Sequence, residues 1–383
     1  KYINNIHMKK ISFNIPLQLN SSIQNVNKFL KSRKPLHGPG VNIELIKKKI
    51  KKFYKFKNIH LTNSCTSALE MCGLMLKLKK DDEVIVPAFS FITTASSFAR
   101  TGCKLRYCDI EKENLMPSFN QIKNCVNKKT KAIVIVHYQG YSVDFLDKLQ
   151  IFCKKKKIIL IEDAAQSFGS YFKNKPLGSF GDFACFSFHE TKNLHSGLGG
   201  MLVVNNKKFI NQSYLIFDKG TDRYLVKQGK KKYYSWVDIG SSFMLSELSA
   251  SYLLPQIIHH KKIFSLRKTL YFRYLKNLNK WLKGHFYLTN YHKYRYNYHA
   301  FVIVLKNKDR EKFLKFLRLN KIEAVISYTP LHKSKAGKKY LGKKDKLRNS
   351  NLYIDKIVRL PLHNYLNIKD IDYISQKIKS YFL

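Results

Sequence analysis

The chain places an acid and a lysine where two buried strands would end. Glu162-Asp163-Ala164-Ala165-Gln166-Ser167 follows the apolar run Ile158-Ile159-Leu160-Ile161. Such a run reads as a parallel strand covered on both faces. An acid at its C-terminal end lies at the mouth of an open α/β sheet, where ligands bind. A second run, Phe183-Ala184-Cys185-Phe186-Ser187-Phe188, leads into His189-Glu190-Thr191-Lys192-Asn193 and then Gly197-Leu198-Gly199-Gly200. An acid and a lysine on adjacent strand ends suit pyridoxal phosphate. The lysine forms a Schiff base, and the acid keeps the pyridine nitrogen protonated so that the ring can accept electrons.

Other residues admit an ordinary and a chemical reading. Asn63-Ser64-Cys65-Thr66-Ser67-Ala68-Leu69 opens a helix. Ser and Thr there cap free N–H groups, and the same geometry binds a phosphate. Pro87-Ala88-Phe89-Ser90-Phe91 ends a strand with aromatics that are either core or a stacking surface. Gln166 is expected one helical turn beyond Asp163, facing the same ligand or capping the turn. Glu162 is expected to be solvated or to serve the helix entry.

These segments resemble the DegT/DnrJ/EryC1/StrS family of fold-type I sugar aminotransferases, from Phe13-Asn14-Ile15-Pro16 to Arg359-Leu360-Pro361-Leu362. Cys185 to Asn193 and Asp238-Ile239-Gly240-Ser241-Ser242-Phe243-Met244-Leu245-Ser246-Glu247-Leu248 are most similar to the branch making TDP-4-amino-4,6-dideoxygalactose, TDP-fucosamine. The resemblance implies pyridoxal 5'-phosphate on Lys192, with Asp163 at its ring nitrogen. It implies Thr66, Ser67 and Ser187 at the phosphate, Phe91 against the ring and Gln166 near the phenolic oxygen. Lys192, once freed, would shuttle the proton to the substrate carbon. His189 is expected to support the site by hydrogen bonding.

The implied reaction moves an amino group from glutamate to a nucleotide-linked 4-keto-6-deoxyhexose such as TDP-4-keto-6-deoxyglucose. The product would feed a surface polysaccharide such as enterobacterial common antigen. The resemblance also implies a homodimer, in which Ser242 reaches the partner's phosphate site. Two departures stand out. Most of the family has an acid where this chain has Leu198, and a widespread asparagine is replaced by Ser242. Sugar dehydratases of the family carry histidine at the position of Lys192, so the lysine favours transamination.

The charge is the competing signal. Lys+Arg number 71 and Asp+Glu 25, a net charge of +46 over 383 residues. The lysines are spread throughout, as in Lys47-Lys48-Lys49 and Lys154-Lys155-Lys156-Lys157. With much Asn, Ile, Tyr and Phe, this is the composition an AT-rich genome encodes. No helix-turn-helix, zinc-finger or RNA-binding signature accompanies it, so no specific nucleic-acid partner is expected. Seven cysteines without a CxxC pair indicate neither a disulfide framework nor a metal site. No apolar run reaches membrane-helix length. Residues 1–7 lack a signal-peptide pattern and read as an extension before Met8, and a cytoplasmic location is expected.

The elements that must position these groups alternate. Strands are expected at Glu83–Val86, Lys104–Asp109, Ala132–His137, Ile158–Ile161, Asp182–Phe188 and Met201–Asn205, with helices such as Thr66–Leu78 and Phe145–Lys156 between them. This predicts an α/β fold with a mostly parallel sheet. An N-terminal helical segment is expected over 21–56 and a long loop over 219–232. A basic helix should begin near Pro255, followed by a strand over 298–305, a helix over 310–320 and a final helix after Asn367. These form a smaller C-terminal α+β domain, 256–383, after a cofactor-binding domain, 8–255.

Overall fold

The apolar runs become strands because every residue in them finds cover on both faces. The computed structural model describes residues 10–112, 114–281, 284–288, 296–306, 309–342 and 346–383. The extension expected at residues 1–7 lies outside them.

The chain opens with helices α1 (Asn20–Lys31) and α2 (Val41–Tyr54). It then alternates β1 (Ile59–Thr62), α3 (Cys65–Leu76), β2 (Glu83–Pro87), α4 (Ile92–Ala99), β3 (Lys104–Cys108), α5 (Phe119–Cys125), β4 (Thr130–Val136), α6 (Leu146–Lys156) and β5 (Ile159–Asp163). A small hairpin, β6 (Tyr171–Phe172) and β7 (Lys175–Pro176), precedes β8 (Phe183–Ser187) and β9 (Gly200–Val204). The rest comprises α7 (Ile210–Phe217), α8 (Arg223–Lys227), α9 (Glu247–Leu278), β10 (Phe286–Leu288), β11 (Phe301–Leu305), α10 (Arg310–Leu319), β12 (Val325–Ile326), α11 (Arg348–Tyr353), β13 (Ile357–Leu360) and α12 (Ile368–Phe382).

The main sheet runs β1-β9-β8-β5-β4-β2-β3. The pairs from β8 through β3 are parallel, and β9 alone is reversed, antiparallel to both β1 and β8. This is the expected mostly parallel α/β sheet. The second sheet, β10-β11-β13-β12, is antiparallel throughout. Its buried face shares one apolar core with β4, α6 and α12, through Ile135, Leu149, Ile303, Val358 and Ile374.

The six large-sheet strands lie close to their expected bounds, but β1 was missed. Ile59-His60-Leu61-Thr62 is short and its buried histidine breaks the apolar pattern. The strand expected from Tyr298 begins at Phe301, because Tyr298 has a left-handed backbone with φ 53°. The N-terminal helical segment is two helices. In α2, Ile43, Ile46, Ile50 and Tyr54 recur at helical spacing and face the buried residues Leu253, Leu254 and Ile257 of α9.

Helix α9 corrects the start expected near Pro255. The Ser246 hydroxyl accepts from the Ser249 N–H at 3.1 Å and fixes the true N-terminus, with Pro255 inside the helix. The position assigned to the domain boundary therefore falls within a continuous helix. Glu247, at its first turn, is buried and accepts from the backbone N–H groups of Gly40, Asn42 and Ile43, each at 2.9 Å, and from Asn42 Nδ2 at 3.0 Å. One carboxylate thus satisfies the free donors at the start of α2.

The segment expected as a plain loop over 219–232 has its own architecture. It contains α8, and Thr221 pairs with Trp236 in an antiparallel bridge. Gly220 and Gly240 lie back to back. A Cβ on Gly240 would come within 2.2 Å of the Gly220 nitrogen. No helix among the described residues is long and apolar enough to cross a membrane.

Candidate active site

Strands β5 and β8 are parallel neighbours, so their C-terminal ends open on the same edge, and Asp163 pairs in register with Cys185. Asp163 is buried. Its Oδ2 accepts from the Thr94 hydroxyl at 2.7 Å and its Oδ1 from the Ala165 N–H at 3.2 Å. Burial pushes the carboxyl's pKa up, and these hydrogen bonds, with the charges of Lys192 and His137, oppose the rise. A buried acid held by two weak donors is suited to a cationic ring nitrogen.

Glu162 points to the opposite face of the sheet and is fully buried, which corrects the solvated reading. Its carboxylate accepts from the N–H groups of Gly178, Phe180 and Gly181 and lies 2.8 Å from His137 Nε2. It closes the turn that feeds β8. The stretch after Asp163 is likewise a turn and not the helix expected there, with the Ser167 N–H bonded to the Ala164 carbonyl at 3.0 Å. Gln166 reaches the same cleft from that turn. Its Oε1 accepts from the Gln139 N–H at 2.6 Å, and its Nε2 donates to the Tyr328 hydroxyl.

Lys192 sits in the tight turn after β8, with its N–H on the His189 carbonyl at 2.8 Å. Its side chain is partly exposed to the cleft. Its pKa is lowered to about 8, first by burial and then by the positive charge of Arg359. That makes the amine a nucleophile and a base near neutral pH.

The start of α3 forms the opposite wall. Ser64 caps the helix by accepting from the Ser67 N–H at 3.0 Å. Gly200 of β9 lies so close that a Cβ there would meet the Cys65 nitrogen at 2.4 Å. The strand therefore supports the turn from beneath, leaving Ser64, Cys65 and Thr66 along the cleft with the helix's positive end. Ser187 lies across from them and also lines it.

The cleft has a volume of about 310 Å³. It brings together Lys192, Asp163, Thr66, Phe91, Gln166 and Ser187. Phe91 is 53 % exposed there, while Phe89 is buried. One residue expected in this cleft stands apart, and Ser242, expected at the partner's phosphate site, also lies away from it. The Ser67 hydroxyl donates to Asn63 Oδ1 at 2.5 Å and does not line the cleft. Ser242 is exposed away from it, and its carbonyl accepts from Asn63 Nδ2 at 3.2 Å. His189 lies at the rim, with its Nδ1 3.0 Å from the Thr191 hydroxyl. Leu198 is a 58 % exposed apolar wall of the cleft.

Sequence reasoning missed Phe13, His299, Tyr328 and Arg359, all lining the same cleft. His299 is buried, with its Nδ1 3.1 Å from Asn193 Oδ1. Burial, then the charges of Lys192 and Arg359, push its pKa well down, so the imidazole is neutral. Arg359 belongs to a motif that carried the resemblance without a role. His299 is one of several aromatic and polar residues in Tyr296-Asn297-Tyr298-His299, with nothing in their spacing to mark it.

The residues present fit pyridoxal phosphate: a helix N-terminus with hydroxyls for the phosphate, an exposed aromatic for the ring, a buried acid and a lysine of lowered pKa. The chain is 28 % identical to the GDP-perosamine synthase of Vibrio cholerae over 353 residues, covering 90 % of this chain and 91 % of the relative. The fold matches PseC of Helicobacter pylori, an aminotransferase of pseudaminic acid biosynthesis, with TM-score 0.89, 23 % identity and coverage of 98 % and 99 %. It also matches the Escherichia coli GDP-4-keto-6-deoxy-D-mannose-3-dehydratase with bound hydrated PLP, with TM-score 0.86, 21 % identity and coverage of 96 % and 99 %. The fold is that of the fold-type I enzymes. A family match over residues 18–379 makes the chain a member of the DegT/DnrJ/EryC1/StrS aminotransferase family, whose cofactor is pyridoxal phosphate.

Proposed function

We propose that the chain transfers the amino group of glutamate to C4 of a nucleotide-linked 4-keto-6-deoxyhexose, with TDP-4-keto-6-deoxyglucose as the substrate and a 4-amino-4,6-dideoxy sugar nucleotide as product. The observation that carries the reading is Lys192, with its lowered pKa, in one cleft with Asp163. The cofactor, when bound, supplies the electron sink. Thr66 and Ser187 hold its phosphate, Asp163 holds the proton on its ring nitrogen, and Phe91 covers one face. Lys192 carries the cofactor between turnovers and, when released, moves the proton at the substrate carbon.

The subfamily reading rests on the wording around Lys192 and Ser242. A GDP-linked sugar is the second reading, favoured by the likeness to a GDP-perosamine synthase. A dehydratase is disfavoured by Lys192. The enzyme works as a homodimer in this proposal. Supporting it, Ile92, Trp236 and Ile239 are 65, 81 and 70 % exposed, large apolar side chains suited to burial against a second copy. The test is incubation with glutamate and either TDP-4-keto-6-deoxyglucose or GDP-4-keto-6-deoxy-D-mannose, with the product identified by NMR. Formation of a 4-amino sugar only from the GDP substrate replaces the TDP assignment. No amino sugar from either, with the cofactor bound, overturns the reading.

A further inference from the structure

His299 is a buried imidazole in the cleft with Lys192, and neighbouring amides determine its hydrogen-bonding state. Asn193 Nδ2 donates to the Asn297 carbonyl at 2.7 Å. A carbonyl only accepts, so the amide nitrogen faces it and the amide oxygen faces the ring, 3.1 Å from His299 Nδ1. Nδ1 must therefore carry the hydrogen. Burial first, then the charges of Lys192, Arg359 and Arg267, keeps the ring neutral, which leaves Nε2 as a bare lone pair. Nε2 has no hydrogen-bond partner among the described residues.

The ring is held from behind. Arg267 of α9, itself buried, donates from Nε to the Tyr298 carbonyl at 2.9 Å and from Nη2 to the His299 carbonyl at 2.7 Å. Its grip spans the left-handed backbone of Tyr298, φ 53°. Asn297 anchors the same segment by donating from Nδ2 to the carbonyls of Gln166 and Phe168, at 2.8 and 3.0 Å. A buried cation held only by carbonyls is costly to keep. What it secures here is a lone pair of fixed direction.

We propose that His299 Nε2 accepts a hydrogen bond from the sugar hydroxyl on C3, next to the carbon that receives the amino group, and so selects substrates that carry it. The inference rests on the aminotransferase reading above. Two other acceptors in the cleft are committed: Asp163 to the cofactor's ring nitrogen, and Gln166 Oε1 to the Gln139 N–H at 2.6 Å. The reacting carbon must lie beside Lys192, which moves its proton, and the charge of Lys192 reaches His299. Of the two substrates, the amino acid brings carboxylates, which are acceptors and oppose a lone pair. Its amino group is the part that reacts. The keto sugar brings a hydroxyl on C3, whereas C5 carries only the methyl and the ring oxygen. The C3 hydroxyl is thus the one donor adjacent to the reacting carbon.

The experiment uses the full chain loaded with cofactor and follows each half-reaction by the cofactor's absorbance. The probes are glutamate, the TDP- or GDP-linked 4-keto-6-deoxy sugar that the enzyme aminates, and the 3-deoxy counterpart of that sugar. Wild type should favour the hydroxylated sugar over the 3-deoxy sugar by about tenfold in kcat/KM, the worth of one hydrogen bond. His299→Phe keeps a ring without the acceptor and should narrow that preference to within about twofold. His299→Gln offers an oxygen in place of Nε2 but loses the Asn193 bond, and should fall between, at about threefold. A loss shared by both sugars and by glutamate reports only the disturbance of Asn193, which is why the ratio is read. A wild-type preference under about twofold, or the same preference in His299→Phe as in wild type, overturns the proposal. Should His299→Phe not fold, an undiminished preference in His299→Gln overturns it. A wild type whose absorbance glutamate does not change fails the aminotransferase reading and this assignment with it, whereas a normal glutamate response with equal rates for the two sugars fails this assignment alone.

Discussion

The Thr94 hydroxyl lies 2.7 Å from Oδ2 of Asp163 and donates to it, linking the first turn of α4 to the end of β5. Only the Ala165 N–H shares this carboxylate among the described residues. The bond fixes the rotation of a buried acid without neutralising it. Thr94→Val should keep the fold and bind cofactor, while kcat/KM falls about tenfold, the cost of one hydrogen bond to a charged group. Asp163→Ala should lose most activity while retaining some cofactor. Steady-state kinetics and the cofactor's absorbance check both, and a Thr94→Val enzyme with wild-type kcat/KM would remove the orienting role.

The lysine makes a pH prediction. Its pKa in the fold is about 8, below the ordinary 10.5. The amine is protonated below that value and becomes nucleophilic as pH rises through it. Capture of free pyridoxal phosphate by apo-protein should therefore accelerate from pH 7 to 9 and level off, with a midpoint near 8. Stopped-flow absorbance measures this. A midpoint near 10 would mean that burial and Arg359 do not act on Lys192 as the structure indicates. Lys192→Ala should abolish turnover, and borohydride should label no other lysine in the wild type.

Glu162 predicts stability instead of rate. Its carboxylate serves three backbone donors and His137 in a site without water access. Glu162→Ala should strand all four and reduce the unfolding free energy by about 3–5 kcal/mol. Denaturant unfolding of the apo-protein measures it. A loss under about 1 kcal/mol would show that the turn before β8 finds other acceptors.

The uneven legibility of the site has a physical origin. Asp163 ends a buried parallel strand and Lys192 follows closely after another, where an apolar run stops and a charged residue stands out. Tyr328 meets Gln166 across 162 residues of sequence, Arg359 arrives from the second sheet and His299 from the segment before β11. Nothing local marks a cleft-lining residue on an ordinary strand. Glu162 misled because adjacent strand residues point to opposite faces. One carboxylate faces the ligand and its neighbour clamps a turn. Ser67 is ambiguous in sequence because a helix start offers hydroxyls to both cap and ligand, and in the structure its own hydroxyl bonds Asn63. Pro255 reads as a helix start, a role proline often has. The cap that decided the matter was the plainer Ser246.

The charge of +46 yields the last prediction. Lysines lie on nearly every exposed element, and many have no acidic partner because there are only 25 acids for 71 basic residues. Their even spread along the sequence favours no one element for reading base edges, so binding to nucleic acid should be through phosphates alone. Such binding releases counterions and falls steeply with salt. Two unrelated duplexes should bind with equal affinity at low salt and lose it together on raising salt from roughly 50 to 200 mM, by about a hundredfold or more. The nucleoside diphosphate of the substrate makes fewer ionic contacts and should show a much shallower slope. Fluorescence anisotropy at several salt concentrations measures all three ligands. A preference for one duplex that persists near 150 mM salt would require a reading surface that the even spread of lysines does not provide.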